Sequence, residues 1–192
     1  MPLDVVILGP PGAGKGTQGD RISGELGIPH INTGDIIRAE IAAGTTFGRK
    51  VQSYNEAGEL VPDELMIERV RERLGEPDTA DGFILDGFPR TLPQAEALDA
   101  MLAELDRELR IVLHFQLSED VAEQRLLKRA LEQGRRDDTP EVIHHRMETM
   151  RVPDAVIEFY RTRGILVGIH ADRTIDEVFA EVQSVLETAA AR

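Results

Sequence analysis

The chain lacks several features, and each absence narrows what it can be. None of its 192 residues is cysteine, so disulfides and thiolate zinc sites are excluded and we expect no zinc. No apolar run approaches the ~20 residues that a membrane-spanning helix needs. No basic region followed by a long apolar segment marks a secretory signal. We therefore expect a cytoplasmic protein that does not contact a membrane.

Basic residues are in the minority. The chain has 22 lysines and arginines against 35 aspartates and glutamates, which gives a net charge of −13. This balance argues against a general nucleic-acid-binding protein, which normally presents a basic surface. Any bound polyanion must therefore meet a local cluster of basic residues. The length suits one domain over residues 1–192, and since nothing in the sequence indicates an interface, we expect a monomer.

One glycine-rich segment follows a short apolar stretch. The stretch at residues 5–8 is typical of a buried strand, the segment GPPGAGKGT spans residues 9–17, and helical spacing continues to Leu26. A strand, a glycine-rich loop and a helix in this order predict a phosphate-binding loop. Glycines let successive backbone N–H groups point at one anion, and the helix start adds unsatisfied donors. Lys15 brings a mobile charge to the outer phosphates.

Short apolar segments alternate with helical ones along the chain. This alternation is typical of a parallel α/β sheet, on which ligands bind beyond the C-terminal ends of the strands. Pro153 lies inside the longest predicted helix, so we expect a kink or a displaced helix start there. The predicted strands are residues 5–8, 30–32, 83–85, 111–117 and 165–169, and the predicted helices are residues 16–26, 34–43, 48–57, 63–74, 93–105, 119–132, 140–163 and 175–190.

Two segments do not fit simple strand–helix–strand units. Three predicted helices and no strand lie between the second and third strands, so we expect a helical lobe at residues 32–61, inserted over the site. The polar segment LEQGRRDD at residues 131–138 joins two predicted helices. It predicts a short lid, bounded at residues 128–138.

The third predicted strand ends in a carboxylate, Asp86. In phosphate-loop enzymes such an acid helps to hold Mg²⁺, often together with a loop hydroxyl. Since Mg²⁺ keeps several of its waters, we expect Asp86 to bind the ion through water, with Thr17 as a second candidate ligand. The alternative is a carboxylate that only caps the turn before Gly87.

Several arginines lie near predicted helix ends, loops or the lid. Guanidinium groups stay charged and match phosphate oxygens, and phosphoryl transfer asks a protein mainly to position reactants and stabilise charge. Two facing nucleotides carry about five to six negative charges, which one lysine and one Mg²⁺ do not offset. For any single arginine the ordinary alternative is a surface ion pair. The candidates are Arg38, Arg90, Arg125, Arg129, Arg135 and Arg146.

The histidines carry no recognisable chemistry in the sequence. No Ser-His-Asp set is evident, and adjacent histidines at 144 and 145 point different ways on a helix. We interpret all five, at positions 30, 114, 144, 145 and 170, as structural or surface residues.

Five motifs occur in the order found in adenylate kinases. They are GPPGAGKGTQ at residues 9–18, INTGDIIRAE at 31–40, AGELVPDE at 57–64, FILDGFPRTLPQA at 83–95 and GRRDDT at 134–139. The chain resembles the short-lid form of this family over nearly its whole length. The resemblance implies a P-loop NTPase-like, three-layer α/β fold with a five-stranded parallel sheet, a small helical NMP-binding lobe and a short lid. It also implies that ATP and AMP are converted reversibly to two ADP with Mg²⁺.

The resemblance implies roles for single residues as well. It implies that Lys15 follows the transferred group and that Asp137 and Asp138 orient arginines. The residues expected to contact ATP are Gly12, Ala13, Gly14, Lys15, Gly16, Thr17, Arg129 and the backbone at Arg173. Those expected to contact AMP are Thr33, Arg38, Glu59, Leu60, Val61, Gly87, Phe88, Pro89, Arg90, Gln94, Arg135 and Arg146. Catalysis is expected to rest on Lys15, Arg90, Arg129, Arg135 and Arg146, with the lid register leaving Arg136 as the alternative to Arg135.

Gln94 has two interpretations. Thr91 precedes it by three residues, the spacing of a capping box, so Gln94 could only cap its helix. A glutamine amide can also pair with an adenine edge, and we favour this second interpretation.

Two other functions compete with adenylate phosphorylation. A kinase for UMP or CMP is disfavoured, because the resembling pyrimidine kinases usually carry a small apolar residue at the position of Thr33 and an asparagine at that of Gln94. A slow nucleotide-dependent switch would need no second nucleotide site. This function is disfavoured because it gives Arg38, Arg90 and Arg146 no role.

Overall fold

A computed structural model describes residues 2–133 and 139–190 of the chain. Within these residues, one parallel sheet of five strands has the order β2-β3-β1-β4-β5. The predicted five-stranded parallel sheet is thereby confirmed. The strands are β1 (Leu3–Leu8), β2 (His30–Asn32), β3 (Gly82–Asp86), β4 (Ile111–Gln116) and β5 (Leu166–His170).

Helices connect the strands. Their bounds are α1 (Lys15–Leu26), α2 (Thr33–Ala43), α3 (Thr46–Ala57), α4 (Asp63–Leu74), α5 (Leu92–Glu104), α6 (Glu119–Gln133), α7 (Pro140–Thr149), α8 (Asp154–Arg161) and α9 (Ile175–Ala190), with a 3-10 turn at Pro77–Thr79. In the described part of the chain, no helix is both long and apolar enough to cross a membrane.

The single long helix predicted over residues 140–163 is wrong. Helix α7 ends at Thr149, and α8 begins at Asp154 with Pro153 as its N-cap. Proline lacks a backbone N–H and its ring clashes with the carbonyl four residues earlier, so it interrupts a helix but is tolerated at a helix start. The displaced helix start expected at Pro153 is confirmed.

The sheet is covered on both faces, as a central parallel sheet requires. Alternate residues of β1 point to opposite sides. Val6 and Leu8 pack in one buried cluster with residues of α4, α5 and α8, whereas Val5 and Ile7 pack in a second cluster with residues of α1 and α9. The result is a three-layer arrangement in which β1 and β3 lie side by side at the centre.

Helices α2 and α3 form a closely packed pair between β2 and α4. Each begins with a side-chain cap: the Asn32 Oδ1 accepts from the Asp35 N–H at 3.1 Å, and the Thr45 Oγ1 accepts from the Gly48 N–H at 2.9 Å. Gly48 faces the backbone of α2 so closely that a Cβ there would lie 2.1 Å from the Glu40 carbonyl oxygen. This contact brings the two helix axes together.

Candidate active site

A cleft of about 710 Å³ opens at the C-terminal ends of the central strands. Of the predicted site residues, those that line it are Gly12, Ala13, Gly14, Lys15, Gly16, Thr17, Thr33, Arg38, Glu59, Leu60, Val61, Asp86, Gly87, Phe88, Arg90, Gln94, Arg125, Arg129, Arg146 and Arg173. Pro89 is not among them and borders a small void behind the cleft with Gly9 and Val152. Arg135, Arg136, Asp137 and Asp138 lie outside the described residues.

The glycine-rich loop passes directly from β1 into α1. Gly12 and Gly14 have φ angles of 82° and 80°, which glycine adopts readily and other residues rarely do. A Cβ at Gly12 would lie 2.5 Å from the Ala122 carbonyl oxygen, so side chains are excluded there by contact as well. Gly14 is the N-cap of α1 and makes no side-chain cap. The first N–H groups of α1 therefore stay available to an anion at the loop.

Lys15 and Asp86 are both buried at the floor of the cleft, and their opposite charges interact. The Lys15 Nζ donates to the Pro10 carbonyl at 2.9 Å. Burial lowers the pKa of Lys15 to about 8, Asp86 acts to raise it, and Arg90 and Arg129 lower it further. Burial acts to raise the pKa of Asp86, but the charges of Lys15 and Arg90 and the contact with His30 hold it below its usual value. Asp86 is therefore a carboxylate at neutral pH.

Strand β2 supplies two further groups around Asp86. Asn32 lies opposite Asp86 in the strand register, and its Nδ2 donates to the Asp86 Oδ2 at 2.8 Å. The His30 Nε2 lies 3.9 Å from the same oxygen, and its Nδ1 is 2.8 Å from the Asp20 Oδ1. Burial acts to lower the pKa of His30, but Asp86 and Asp20 together raise it.

Two arginines that line the cleft, Arg90 and Arg146, are bonded to backbone carbonyls. The Arg90 Nε donates to the Gly87 carbonyl at 3.0 Å, and its Nη1 donates to the Met150 carbonyl, also at 3.0 Å. Arg146 on α7 is buried, and its Nη2 donates to the Asn55 carbonyl at 3.1 Å. Backbone carbonyls on three separate segments thus hold both guanidinium groups in place.

Gln94 is tied into a small network at the start of α5. Its backbone N–H donates to the Thr91 Oγ1 at 3.3 Å, as in a capping box. Its Oε1, however, accepts from the Arg90 N–H at 2.7 Å rather than from Thr91. Its Nε2 donates to the Asp63 Oδ1 at 2.8 Å. Gln94 therefore takes part in capping and also lines the cleft, so the geometry is compatible with both interpretations of this residue.

The far end of the cleft is built from α6 and the β5–α9 connection. The Arg125 Nη1 donates to the Ala171 carbonyl at 2.8 Å, and its Nη2 donates to the Arg173 carbonyl at 3.3 Å. Arg129 lines the cleft one turn further along α6. Arg125 thus holds the backbone at Arg173, which is the position predicted to contact ATP.

Comparison with known proteins places this cleft in a family. The family model described as adenylate kinase matches residues 7–165. The chain belongs to the adenylate kinase family. It is 46% identical over 189 residues to the adenylate kinase of Thermobifida fusca, covering 98% of this chain and 100% of that relative. It is 49% identical over 185 residues to the adenylate kinase of Mycolicibacterium smegmatis, covering 96% of this chain and 99% of the relative. The resemblance inferred from the motifs is confirmed, and the chain is a phosphotransferase of the nucleoside monophosphate kinase class.

Three residues at or next to the cleft are not predicted as functional from the sequence. His30 was interpreted as structural or surface, yet it lines the cleft beside Asp86, as does Asn32. Both lie on β2, and they come beside Asp86 through the pairing of β2 with β3, which the sequence does not reveal. Asp63 was predicted only as the start of a helix, because its contact with Gln94 joins segments 31 residues apart.

Proposed function

We propose that this chain catalyses the reversible transfer of the terminal phosphoryl group of ATP to AMP, giving two ADP. The observation that carries the proposal is one cleft lined by two sets of candidate nucleotide-binding residues. The phosphate loop with Lys15 belongs to the first set, and Arg90 and Gln94 belong to the second. A slow nucleotide switch needs only the first set, whereas a transferase that joins two nucleotides needs both.

The ATP half is assigned to the loop at residues 12–17 and to α6. Backbone N–H groups of the loop and the α1 start bind the phosphates, and Lys15 follows the phosphoryl group as it moves. Arg129 contacts the ATP phosphates, and the backbone at Arg173, held by Arg125, contacts the rest of the nucleotide. Support comes from the glycine φ angles of the loop and from the two Arg125 hydrogen bonds.

The AMP half is assigned to α2, the 59–61 stretch and the β3–α5 loop. Arg38 and Arg90 bind the AMP phosphate, and Arg146 bridges the phosphates of the two nucleotides. Gln94 recognises the base. The further members assigned to this half are Thr33, Glu59, Leu60, Val61, Gly87, Phe88 and Pro89, with Arg135 assigned from the resemblance alone because it lies outside the described residues.

Transfer proceeds in line, with the AMP phosphate oxygen attacking the terminal phosphorus of ATP. No protein base is required, because the acceptor oxygen is already anionic. The residues act by positioning the two nucleotides and by stabilising the charge on the moving group. The guanidinium groups of Arg90, which is partly buried, and Arg146, which is buried, are held in place by backbone carbonyls. They suit this task, since they need little reorganisation when charge shifts.

The residues present fit a Mg²⁺ ion that arrives with ATP. Among residues 2–133 and 139–190, no cluster of three His, Cys, Asp or Glu side chains forms a dedicated metal cage. Mg²⁺ in kinases is held by one or two carboxylates, substrate phosphates and water, a set that the ionised Asp86 and the Thr17 hydroxyl can complete. When bound, the ion neutralises charge on the phosphate oxygens.

We also infer how the site excludes water. The segment at residues 32–61 is proposed as a lobe that closes on AMP, and residues 128–138 as a lid, although residues 134–138 lie outside the described part of the chain. Closure matters because water would otherwise accept the phosphoryl group. We further propose that the protein acts as a cytoplasmic monomer on ATP, AMP and ADP, and not on nucleic acid or membranes.

The test is ADP production from ATP and Mg²⁺ with AMP, GMP, CMP and UMP supplied one at a time. Fast ADP formation with AMP alone supports the proposal. Preference for CMP or UMP would keep the transfer chemistry but remove the adenine assignment. Phosphate release indifferent to every monophosphate would favour the nucleotide switch and overturn the proposal.

A matched pair of variants tests the Arg90 assignment in the same assay. Arg90→Lys keeps the charge but loses the planar fork, and we expect kcat/KM for AMP to fall about 100-fold or more. Arg71→Lys changes an exposed ion pair with Glu104 and should leave kcat/KM within about twofold. Equal behaviour of the two variants would contradict the assignment.

A further inference from the structure

Asp63, Thr91 and Gln94 form a closed ring of hydrogen bonds at the start of α5, and the Arg90 backbone N–H is bonded to it. The Asp63 Oδ1 accepts from the Gln94 Nε2 at 2.8 Å, and the Asp63 Oδ2 accepts from the Thr91 Oγ1, also at 2.8 Å. The Gln94 Oε1 accepts from the Arg90 N–H at 2.7 Å, and the Gln94 N–H donates to the Thr91 Oγ1 at 3.3 Å. Asp63 is the first residue of α4 and does not itself line the cleft.

The ring determines which way the Gln94 amide points. An ionised carboxylate only accepts hydrogen bonds, and a backbone N–H only donates them. The Gln94 Nε2 must therefore face Asp63, and its Oε1 must face Arg90. Reversing the amide would place two acceptors together at Asp63 and two donors together at Arg90. Gln94 is only 2% exposed, so little water reaches its amide to compensate for either mismatch.

A fixed amide still has bonding capacity to offer a ligand. The Nε2 carries a second hydrogen and the Oε1 a second lone pair, and Gln94 lines the cleft. Adenine carries a donating amino group at C6, whereas guanine and hypoxanthine carry an accepting oxygen there. An amide held in one orientation pairs well with one of these patterns, and a freely reversible amide pairs with either.

We infer that Asp63 is a specificity-determining residue, which selects adenine over 6-oxopurines by holding the Gln94 amide in one orientation. This inference rests on the proposed function, in which Gln94 recognises the base of the monophosphate. Asp63 touches neither nucleotide and acts through Gln94, so it is a positioning residue. Its place in the ring connects the end of the 32–61 segment to the start of α5.

The test compares Asp63→Asn with Glu64→Gln. An asparagine at 63 can turn either its oxygen or its amino group toward Gln94, and the Thr91 hydroxyl can donate or accept in response. Position 63 then no longer selects one orientation of the Gln94 amide, and the Arg90 backbone N–H is left as the group that favours the original orientation. Glu64 is the neighbouring acid in the first turn of α4 and is exposed. Glu64→Gln therefore removes the same charge from the same helix end without touching the ring.

The probe is IMP, which carries the C6 oxygen of guanine without its 2-amino group. For the unchanged protein and for Glu64→Gln, we expect the same strong preference for AMP over IMP in kcat/KM. For Asp63→Asn we expect this ratio to fall about tenfold, through a higher KM for AMP and a lower KM for IMP, with the KM for ATP unchanged. Where IMP is bound but not phosphorylated, the Kd ratio from calorimetry replaces the kinetic ratio.

A second variant guards against a merely structural effect. Asp63→Ala removes the acceptor altogether and must move the AMP-to-IMP ratio in the same direction. A ratio within twofold of the Glu64→Gln value in both variants would overturn the inference, as would a loss of affinity for ATP equal to that for AMP. Failure of the unchanged protein to form ADP from ATP and AMP would instead overturn the proposed function.

Discussion

Replacing Gly48 with alanine tests how tightly α2 and α3 must pack for the AMP half of the cleft to form. Gly48 is buried inside α3, and a Cβ there would lie 2.1 Å from the Glu40 carbonyl oxygen and 2.7 Å from the Ile41 nitrogen. Both contacts are with backbone, so no side-chain rotation can relieve them. Ordinary contact begins at 3.4 Å, so the Cβ must move at least about 1.3 Å (3.4 − 2.1) from the Glu40 oxygen, and α3 must shift away from α2.

Two opposing contributions determine how much Gly48→Ala changes the free energy of unfolding. Alanine is favoured over glycine inside a helix by about 1 kcal/mol. Overpacking a buried contact costs about 1–3 kcal/mol, and a clash with backbone lies at the upper end because nothing nearby can rotate away. The expected net loss is about 1–2 kcal/mol, which corresponds to a fall in Tm of about 2–8 °C for a chain of this size.

The matched control is the same substitution where space is open. Gly24 lies inside α1, is exposed, and a Cβ there meets nothing within 4 Å. Gly24→Ala should therefore raise Tm by about 1–4 °C. Differential scanning calorimetry of the two variants, at one protein concentration and without nucleotide, measures both shifts.

Activity adds an independent readout for Gly48→Ala. Helix α2 carries Arg38 and begins at Thr33, so this shift between α2 and α3 should raise the KM for AMP. The KM for ATP should not change, because the phosphate loop lies outside this pair of helices. A rise in Tm for Gly48→Ala equal to that for Gly24→Ala would refute the packing analysis.

Two further predictions concern the floor of the cleft. The pKa of Lys15 is lowered to about 8, and bound phosphates favour the charged form of this lysine. ATP binding at pH 8.5 should therefore take up protons, and ATP affinity should fall as pH rises through 8. Calorimetry in two buffers of different ionisation enthalpy measures the proton uptake, which Lys15→Met should abolish. Asn32→Ser keeps an equally good N-cap on α2 but no longer reaches Asp86, so the Mg²⁺ concentration for half-maximal activity should rise roughly tenfold with Tm unchanged. An unaltered Mg²⁺ requirement would contradict the Asn32 role.

Much of the fold could be predicted because its signals are local. Strand β1 is a continuous apolar run that ends at a glycine-rich loop, and β3 is a similar run that ends in Asp86. Each pattern depends on residues that are close in the sequence, and the parallel topology follows from their alternation with helices. Pro153 could be recognised as a helix breaker, but a single-sequence pattern did not reveal that α7 and α8 are separate helices.

The second layer of the site could not be predicted because it depends on register and packing between distant segments. Asn32 reaches Asp86 only because β2 and β3 are paired with these two residues opposite each other. Asp63 reaches Gln94 only because α4 packs beside the start of α5. Both side chains also suit ordinary capping positions, so their residue types alone do not indicate a role at the site.

In the proposed closure, these two contacts would separate a fixed part of the proposed AMP half from a part that moves. Asn32 and Asp63 flank the 32–61 segment, and each is hydrogen-bonded to the core, the first to Asp86 and the second to Gln94. In the proposed closure, the hinges would therefore lie beside Asn32 and Asp63. These residues hold in place the proposed metal-binding group, Asp86, and the proposed base-recognising group, Gln94. In that closure Arg38 would travel with the segment, whereas Gln94 would stay with the core. Thr33 and the 59–61 stretch, which the proposal also assigns to AMP, would travel with Arg38, so the adenine site would be complete only after closure, with Gln94 as the part already in place.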